Sequence, residues 1–214
     1  LAVTLFGTGL SGYLGQDYVG QPAGAVFGKI AVPLLSDIPI IGSILFKQDA
    51  LVYISYFLVP LAAWYFYKTR SGLFLRAMGE NPAAVDAAGI NVFGLRYLYI
   101  VVGGALAGVA GAYLSLAYAP SWLENMTAGR GWIAVALVIF ALWDPWRAMA
   151  GSYLFGGIDA LGFNLQVLGV PVSGFILNML PYIFTVLVLV LVLKRRGGRS
   201  ASPQALGLSY DREE

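Results

Sequence analysis

Three long apolar stretches, residues 50–67, 95–118 and 175–193, constrain the fold of this chain more than any other feature. A helix needs roughly 20 consecutive apolar residues to cross the ~30 Å hydrocarbon core of a bilayer. Because backbone polar groups must be satisfied internally there, such a stretch favours a helix. Only 11% of the residues are charged, against about 25% in soluble domains. The sequence therefore predicts an all-α, polytopic helical membrane protein.

The segments between and around these stretches predict the rest of the architecture. We interpret residues 1–14 as the outer end of a span. Because the chain begins without Met inside an apolar run, we expect it to be the C-terminal portion of a longer, N-terminally truncated protein. Residues 15–49 are too often interrupted by charges and prolines to cross a membrane, and predict an outer segment with short interfacial helices. Residues 119–130 predict a loop. Two shorter apolar runs, 131–143 and 148–164, are compatible with two short spans or with a helical hairpin. Asp144-Pro145 between them predicts a helix-breaking turn at the cytoplasmic face.

The last long stretch contains the run VLVLVLVL, whose composition alone would also suit a strand. Its place in a long apolar segment that ends in Lys194, Arg195 and Arg196 favours a helix instead. The sequence therefore predicts a helix over 175–193.

The distribution of Lys and Arg predicts the orientation of the chain, because these residues concentrate on the cytoplasmic side of membrane proteins. If the loop 68–96, the turn around Arg147 and the tail 194–214 are cytoplasmic, ten of the thirteen Lys and Arg residues fall on that side. The tail is charged and rich in Gly and Ser, so we expect it to be mobile. The ten are Lys68, Arg70, Arg76, Arg96, Arg147, Lys194, Arg195, Arg196, Arg199 and Arg212, and the other three are Lys29, Lys47 and Arg130.

The absence of His and Cys excludes several classes of function. Without them the chain has no disulfides, no thiolate nucleophile, no typical zinc ligands and no imidazole for acid–base catalysis. A match to G-x-G-x-x-G at residues 7–12 follows no strand and opens no βαβ unit, so we interpret it as chance. The sequence predicts that the chain is not an enzyme and binds no metal, cofactor or nucleic acid. Any ATP that drives it must be bound by another chain.

Residues 81–89 predict a two-turn helix inside the basic loop. Asn81 is a preferred N-cap, because its side chain can accept from free N–H groups of the first turn. Pro82 suits the first helical position and Gly89 the left-handed stop. A helix lying on lipid would use large apolar residues, whereas small ones permit close approach to a protein groove. We interpret it as a protein-docking element, the alternative being that it only reverses the chain. Its small face comprises Ala83, Ala84, Ala87 and Ala88.

Small and polar residues inside the apolar segments have different interpretations. Gly104, Gly108 and Gly111 lie at spacings that let helix backbones approach closely, which predicts tight packing within a bundle. Polar groups at membrane depth are costly, so function is the default interpretation. Asp159 could line a substrate path, or it could cap a helix broken after Gly156-Gly157 or pair with Arg130. The other candidates for the path are Asn164, Gln166 and Asn178, with aromatic Trp132 able to stack on a base or to lie against lipid.

Several stretches resemble a known family. The stretch RAMGENPAAVDAAGINV, followed by a Gly-rich span, resembles the coupling loop of permeases of ABC importers, in the branch serving simple sugars and nucleosides. GRGWIAVALVIFALWDPWRAMAGSYLFGGIDAL resembles the following segment of that branch, and MLPYIFTVLVLVLVLKRR its last helix. TLFGTGLSGYLG is similar to the stretch before its outer loop.

The resemblance implies a type II importer fold and a single transmembrane domain over residues 1–214, placed in the inner membrane. It also implies a separate ATP-binding cassette subunit, a second permease subunit and an extracytoplasmic binding protein or lipoprotein. Glu80 through Ile90 would then be the coupling helix, with Gly79 and Gly89 as its flexible boundaries. The function implied is ATP-driven import of nucleosides or simple sugars. An ion-coupled secondary transporter using Asp159 is the alternative from another class.

Overall fold

The computed structural model describes residues 2–33, 36, 42, 45–127, 129–169, 173–195 and 202–211. Helices dominate these ranges, in agreement with the predicted fold class. The helices are α1 (Ala2–Gly15), α2 (Ala50–Lys68), α3 (Arg70–Glu80), α4 (Pro82–Ala87), α5 (Val92–Tyr113), α6 (Arg130–Ala141), α7 (Pro145–Val167) and α8 (Gly174–Arg195). Helix α8 confirms that the VLVLVLVL run is helical.

Two of these helices are long and apolar enough to cross a membrane, among the residues that the structure describes. They are α2 and the continuous helix Val92–Tyr118, in which α5 is followed by a π-helical turn at Leu114–Tyr118. Both correspond to predicted spans. Very little of either is buried inside the chain, so their apolar side chains are available to lipid or to other helices.

The chain divides into two compact units, which are described separately. One comprises Leu1–Leu58 with Arg96–Ala128, and the other Val59–Leu95 with Gly129–Glu214.

The first unit contains the predicted outer segment, but its local structure differs from the prediction. Over the described part of 15–49, the short elements are a 3-10 turn at Gln16–Tyr18 and a two-stranded antiparallel pairing of β1 (Ile30–Ala31) with β2 (Lys47–Gln48). Gly42 and Leu45 are also helical, and the Phe46 N–H donates to the Gly42 carbonyl at 2.9 Å. The expectation of short helices is therefore only partly met, because the segment also contains the pairing of β1 with β2. Residues 34–35, 37–41 and 43–44 lie outside the described ranges.

Asp49 organises the start of α2 in this unit. Its Oδ1 accepts from the N–H groups of Leu51 and Val52 at 3.0 and 3.1 Å, which caps the helix. The Tyr113 hydroxyl also donates to the Asp49 carboxylate. A buried carboxylate thus joins the ends of two apolar helices, and the sequence analysis missed it because Asp49 lies in a segment interpreted only as outer loop.

In the second unit, residues 131–164 form a helical hairpin with arms of unequal length. At 12 residues, α6 is about 18 Å long, shorter than the hydrocarbon core. Leu142 and Trp143 have φ of 56° and 58°. Because of these left-handed conformations, the chain reverses within the three residues between α6 and α7. Gly151 of α7 permits close packing, because a Cβ there would lie 2.9 Å from the Phe140 ring. Helix α7 is continuous through Gly156-Gly157, so the interpretation of Asp159 as the cap of a broken helix is wrong.

Candidate functional site

Helix α4 forms in the loop 68–96 where the sequence predicts it. The Asn81 side chain accepts from the N–H of Ala84 at 3.1 Å, and Pro82 takes the first helical position. At the other end the Gly89 N–H donates to the Asp86 carbonyl at 2.8 Å, with φ of 79° at Gly89. A residue with a side chain is strained in that left-handed conformation, whereas glycine is not. Both ends of this short helix are thus fixed by the residues that predicted them.

The faces of α4 differ in exposure. Val85 is 4% exposed and packs inward, and the Asp86 side chain is partly covered. The opposite surface is free of large side chains and is exposed in this chain. It consists of Ala83, Ala84, Ala87 and Ala88. An exposed surface of small side chains permits close approach by the backbone or side chains of another protein.

Helix α3, which precedes α4, is held in position by a tight corner between α2 and α3. The Thr69 hydroxyl accepts from the Gly72 N–H at 3.0 Å and donates to the Tyr65 carbonyl at 2.6 Å. A Cβ at Gly72 would overlap the Tyr65 carbonyl oxygen and lie 2.7 Å from the Phe66 Cα. Because both obstacles are backbone atoms, only glycine fits here. Thr69 and Gly72 were missed as structural residues, although Thr is a recognised N-cap signal.

A third cap begins the long helix that follows the loop. The Asn91 side chain accepts from the Gly94 N–H at 2.9 Å, and Val92 is 1% exposed. The segment 69–94 therefore contains three side-chain caps within about 25 residues. The backbone of the loop is thereby fixed without covering the exposed alanines of α4.

Tyr67 connects the corner at α2–α3 to the α6–α7 turn. The Tyr67 hydroxyl donates to Asp144 Oδ2 at 2.9 Å, and the Arg76 guanidinium lies 5.3 Å from the centre of the Tyr67 ring. Asp144 Oδ1 accepts from the Arg147 N–H at 3.0 Å and caps α7. This confirms the predicted helix-breaking turn at Asp144-Pro145. The tie to Tyr67 was missed because the two residues are 77 positions apart.

Asp144 is held in its charged form by these contacts. The hydrogen bond from the Arg147 N–H lowers the pKa of the Asp144 carboxyl below its ordinary value, with further help from the Tyr67 hydroxyl and the Arg147 charge. Partial burial opposes them and is outweighed. The turn therefore keeps a negative charge at neutral pH.

The C-terminal residues 202–211 do not match the expectation of a mobile tail. The Ala205 N–H donates to the Gly79 carbonyl at 2.9 Å, and the Tyr210 hydroxyl donates to Asp86 Oδ2 at 2.9 Å. The prediction was wrong for this part because it extended the Gly/Ser-rich composition of the preceding residues to the end of the chain. The rest of the tail, 196–201 and 212–214, lies outside the described residues.

The residues predicted to line a substrate path are on helices of the second unit. Helices α6, α7 and α8 contact one another. Because their connections are short, neighbouring helices run antiparallel. Trp132 near the start of α6 therefore lies towards the same end as Asp159 and Asn164 in the second half of α7. Trp132 is 80% exposed, and the Asn164 amide donates to the Ala160 carbonyl of its own helix at 2.8 Å. The backbone of Asn178 lies in α8, and its side chain is outside the described residues. These side chains therefore do not form a closed polar site in the described part of the chain.

The small-residue stripe of α5 is open. A Cβ placed on Gly104, Gly108 or Gly111 would meet no described atom within 4 Å. The predicted tight packing at this stripe has no partner within the described residues. Within the described ranges, no three acidic side chains lie together as a metal site would require.

The comparison with protein families decides the class of this chain. The model of a family described as the permease component of branched-chain amino acid transport systems matches residues 1–193. The chain belongs to this permease family. Membership confirms the resemblance to transporter permeases, implies an inner-membrane location and makes the chain a transport component rather than a catalytic enzyme.

The permease is similar to three curated transporter proteins. It is 41% identical to the nucleoside ABC transporter permease protein NupC of Lactococcus lactis, over 84% of this chain and 56% of the relative. It is 38% identical to TsgC13 of Haloferax volcanii, a permease protein assigned to glucose ABC transport, over 99% and 71%. It is 32% identical to the guanosine ABC transporter permease protein NupQ of Bacillus subtilis, over 91% and 59%.

The permease thus spans between 56% and 71% of the length of these relatives. No solved structure was found to match it.

Proposed function

We propose that the permease is a membrane-spanning subunit of an ATP-driven importer of nucleosides or simple sugars, and that α4 couples it to the ATPase. The observation that carries the coupling role is a short helix fixed at both ends by Asn81 and Gly89 that exposes four alanines. The cargo is supported by the roles of the relatives, which include nucleoside, guanosine and glucose transport. The membrane helices act together as a polytopic domain.

ATP binds and is hydrolysed on a separate cassette subunit, and this chain holds no cofactor. The docking surface is the segment Glu80–Ile90, bounded by Gly79 and Gly89. Closure of two cassettes on ATP moves α4, and the displacement passes to the membrane helices. Such a lever works only if the cassette contacts α4 differently in its two states, because equal contact shifts no equilibrium. A second permease subunit and an extracytoplasmic binding protein or lipoprotein complete the importer.

The fixed contacts of the second unit provide a physical route for this displacement. Helix α3 is held at its corner by Thr69, and Arg76 on α3 lies over the Tyr67 ring. Tyr67 in turn holds Asp144 at the start of α7. A shift of α4 and α3 would therefore move the α6–α7 turn, and α7 carries Asp159 and Asn164 towards its other end.

The basic side of the chain is cytoplasmic in this proposal. The loop 68–96 and the tail 194–214 then meet the cassette, and the segments near β1 and β2 lie outside. Asp159, Asn164, Asn178 and Trp132 lie on the outer side of the substrate path. The stripe of Gly104, Gly108 and Gly111 packs against other helices of the assembled transporter.

The test of the function is uptake by the full-length permease, reconstituted in liposomes with the proposed cassette ATPase and binding protein. We expect ATP-dependent uptake of labelled nucleosides, or of pentoses and hexoses. Nucleoside uptake would select one cargo class and sugar uptake the other. Uptake that follows an imposed ion gradient without ATP would instead favour the ion-coupled secondary transporter.

The coupling role has its own test in the same system. Ala84→Trp adds bulk to an exposed position, so we expect insertion and folding to persist while ATP-dependent uptake is lost. Val167→Trp, at a position 71% exposed at the end of α7, is the matched control and should transport normally. Normal uptake by Ala84→Trp would rule out the docking assignment.

Gly89→Pro tests the boundary of the same helix. Proline fixes φ near −65° and has no N–H, whereas Gly89 has φ of 79° and donates to Asp86. We expect loss of uptake with membrane insertion retained. Gly89→Asn is the control, because Asn tolerates the left-handed conformation, and it should keep most of the activity.

A further inference from the structure

The C-terminal segment 202–211, called here the strap, contacts three consecutive elements of the loop 68–96. The Ala205 N–H donates to the Gly79 carbonyl near the end of α3. The Tyr210 hydroxyl donates to Asp86 on α4, and the Tyr210 ring lies 5.9 Å from the ring of Phe93 at the start of α5. The strap is therefore anchored on each of the helices that define the position of α4.

The strap has its own folded backbone. The Leu206 N–H donates to the Pro203 carbonyl and the Leu208 N–H to the Ala205 carbonyl, each at 3.2 Å. These are two successive turns, and Gly207 with φ of 78° takes the position in the second turn where glycine is needed. The contact with α3 is close, since a Cβ on Gly79 would lie 3.2 Å from the Pro203 Cβ. Gly79 therefore allows the strap to approach α3 closely, in addition to its proposed role as a flexible boundary of the coupling helix.

The strap leaves the docking face of α4 open. It bonds to Asp86, while the four alanines of α4 stay exposed with the strap in place. A segment that blocked an ATPase would have to cover that face. The geometry instead corresponds to a brace on the opposite side of the helix. The family match ends at residue 193, so the strap lies beyond it.

We propose that the strap is a brace that holds α3, α4 and the start of α5 as one rigid body during coupling. Isolated helices shorter than about 12 residues are marginal in water, and α4 has six, so tertiary contacts must hold it in place. Tyr210 is the principal positioning residue, because it bonds to α4 through its hydroxyl and contacts Phe93 through its ring. This inference rests on the proposed coupling function of α4.

The test measures two quantities in the full-length transporter, namely cargo imported per ATP hydrolysed and hydrogen exchange at the amides of Ala84, Ala88 and Gly89. Tyr210→Phe keeps the ring and removes the donor, and Asp86→Ala removes the acceptor. A hydrogen bond of ordinary net strength corresponds to about fivefold. We expect each variant to lower the import ratio and raise exchange by about that factor, with the double variant no worse than either single one.

Two control variants separate the brace from a general disturbance of the tail. Asp86→Asn keeps an acceptor oxygen and should restore most of the import ratio. Ser209→Ala changes an exposed neighbour of Tyr210 and should behave as the wild type.

The outcomes distinguish the brace from the coupling function on which it rests. If Tyr210→Phe changes neither quantity while Ala84→Trp still abolishes uptake, the brace is overturned and coupling stands. If Tyr210→Phe speeds uptake, the strap is an inhibitory latch and the brace is also overturned. If Tyr210→Phe raises exchange but Ala84→Trp transports normally, the strap braces a helix that does not couple, and the proposed function fails instead.

Discussion

Two exposed regions of this permease use their polar side chains differently. In the loop 68–96, Thr69, Asn81 and Asn91 each hold a backbone N–H at the start of a helix. Where the start of α6 lies towards the end of α7, the Asn164 amide bonds back to its own helix and Trp132 is largely exposed. The first region is shaped by its own chain, whereas the second carries polar groups that do little to fix the backbone. We therefore expect substitutions in the first to change stability and uptake together, and those in the second to change uptake alone.

The largest effect on stability should come from Gly72→Ala, at the corner between α2 and α3 in the first region. The added Cβ meets backbone atoms of Tyr65 and Phe66 that cannot move away cheaply. Overpacking of this kind costs about 1–3 kcal/mol, so the melting temperature in detergent and the ATP-dependent uptake should both fall. Gly157→Ala is the control, because a Cβ there meets nothing within 4 Å. Equal melting temperatures for the two variants would contradict the close corner.

Asn81→Ala should have the next largest effect. It removes the side-chain acceptor for the Ala84 N–H, and loss of such a cap costs about 1 kcal/mol. We expect faster hydrogen exchange in α4 and a lower import ratio. Asn81→Ser supplies another capping oxygen and should recover most of both. A wild-type exchange rate in Asn81→Ala would show that the cap is not what fixes α4.

Asp144→Asn should give a smaller effect that depends on pH. Asp144 uses both oxygens, one for Arg147 and one for Tyr67, whereas Asn offers only one acceptor. Because the folded pKa of Asp144 is lowered, its stabilising contribution is complete above the unfolded value near 3.9 and is lost as pH falls through the folded pKa. The melting temperature of the wild type should exceed that of the variant at neutral pH, and the difference should vanish in acid. A difference that persists unchanged in acid would assign the effect to packing instead of charge.

The smallest effect on stability should come from Asn164→Ala in the second region. Its exposed amide donates to the Ala160 carbonyl of its own helix, so we expect a change in the free energy of unfolding within about 0.5 kcal/mol. Uptake should nevertheless fall if Asn164 lines the substrate path. A large drop in melting temperature would erase the contrast between the two regions.

Local signals made part of this structure predictable. Helix α4 was predicted closely because Asn81, Pro82 and Gly89 determine its ends from within nine residues. The turn at Asp144-Pro145 and the helix across VLVLVLVL follow from equally local evidence. The spans α2 and α5 follow from length and apolar composition, which the bilayer itself imposes.

Distant contacts were not predictable from one sequence. Tyr67 meets Asp144 across 77 positions and Tyr210 meets Asp86 across 124, and neither pair has a pattern that would identify the partner. The β1–β2 pairing involves only two residues from each strand, too few for an alternating pattern. Asp49 sat in a segment whose mixed composition obscured its capping role. The substrate-path residues stay predictions, since their surroundings depend on more than the described part of this chain.

The separation of Tyr210 from Asp86 also determines when their contact can form during synthesis. Chains grow at about 5–20 residues per second, so a loop whose partner lies 124 positions later waits on the order of ten seconds for it. During that interval the later apolar helices are synthesised while α4 has its local caps but not its brace. The surface that we propose for the ATPase therefore gains its brace only after the strap has been synthesised.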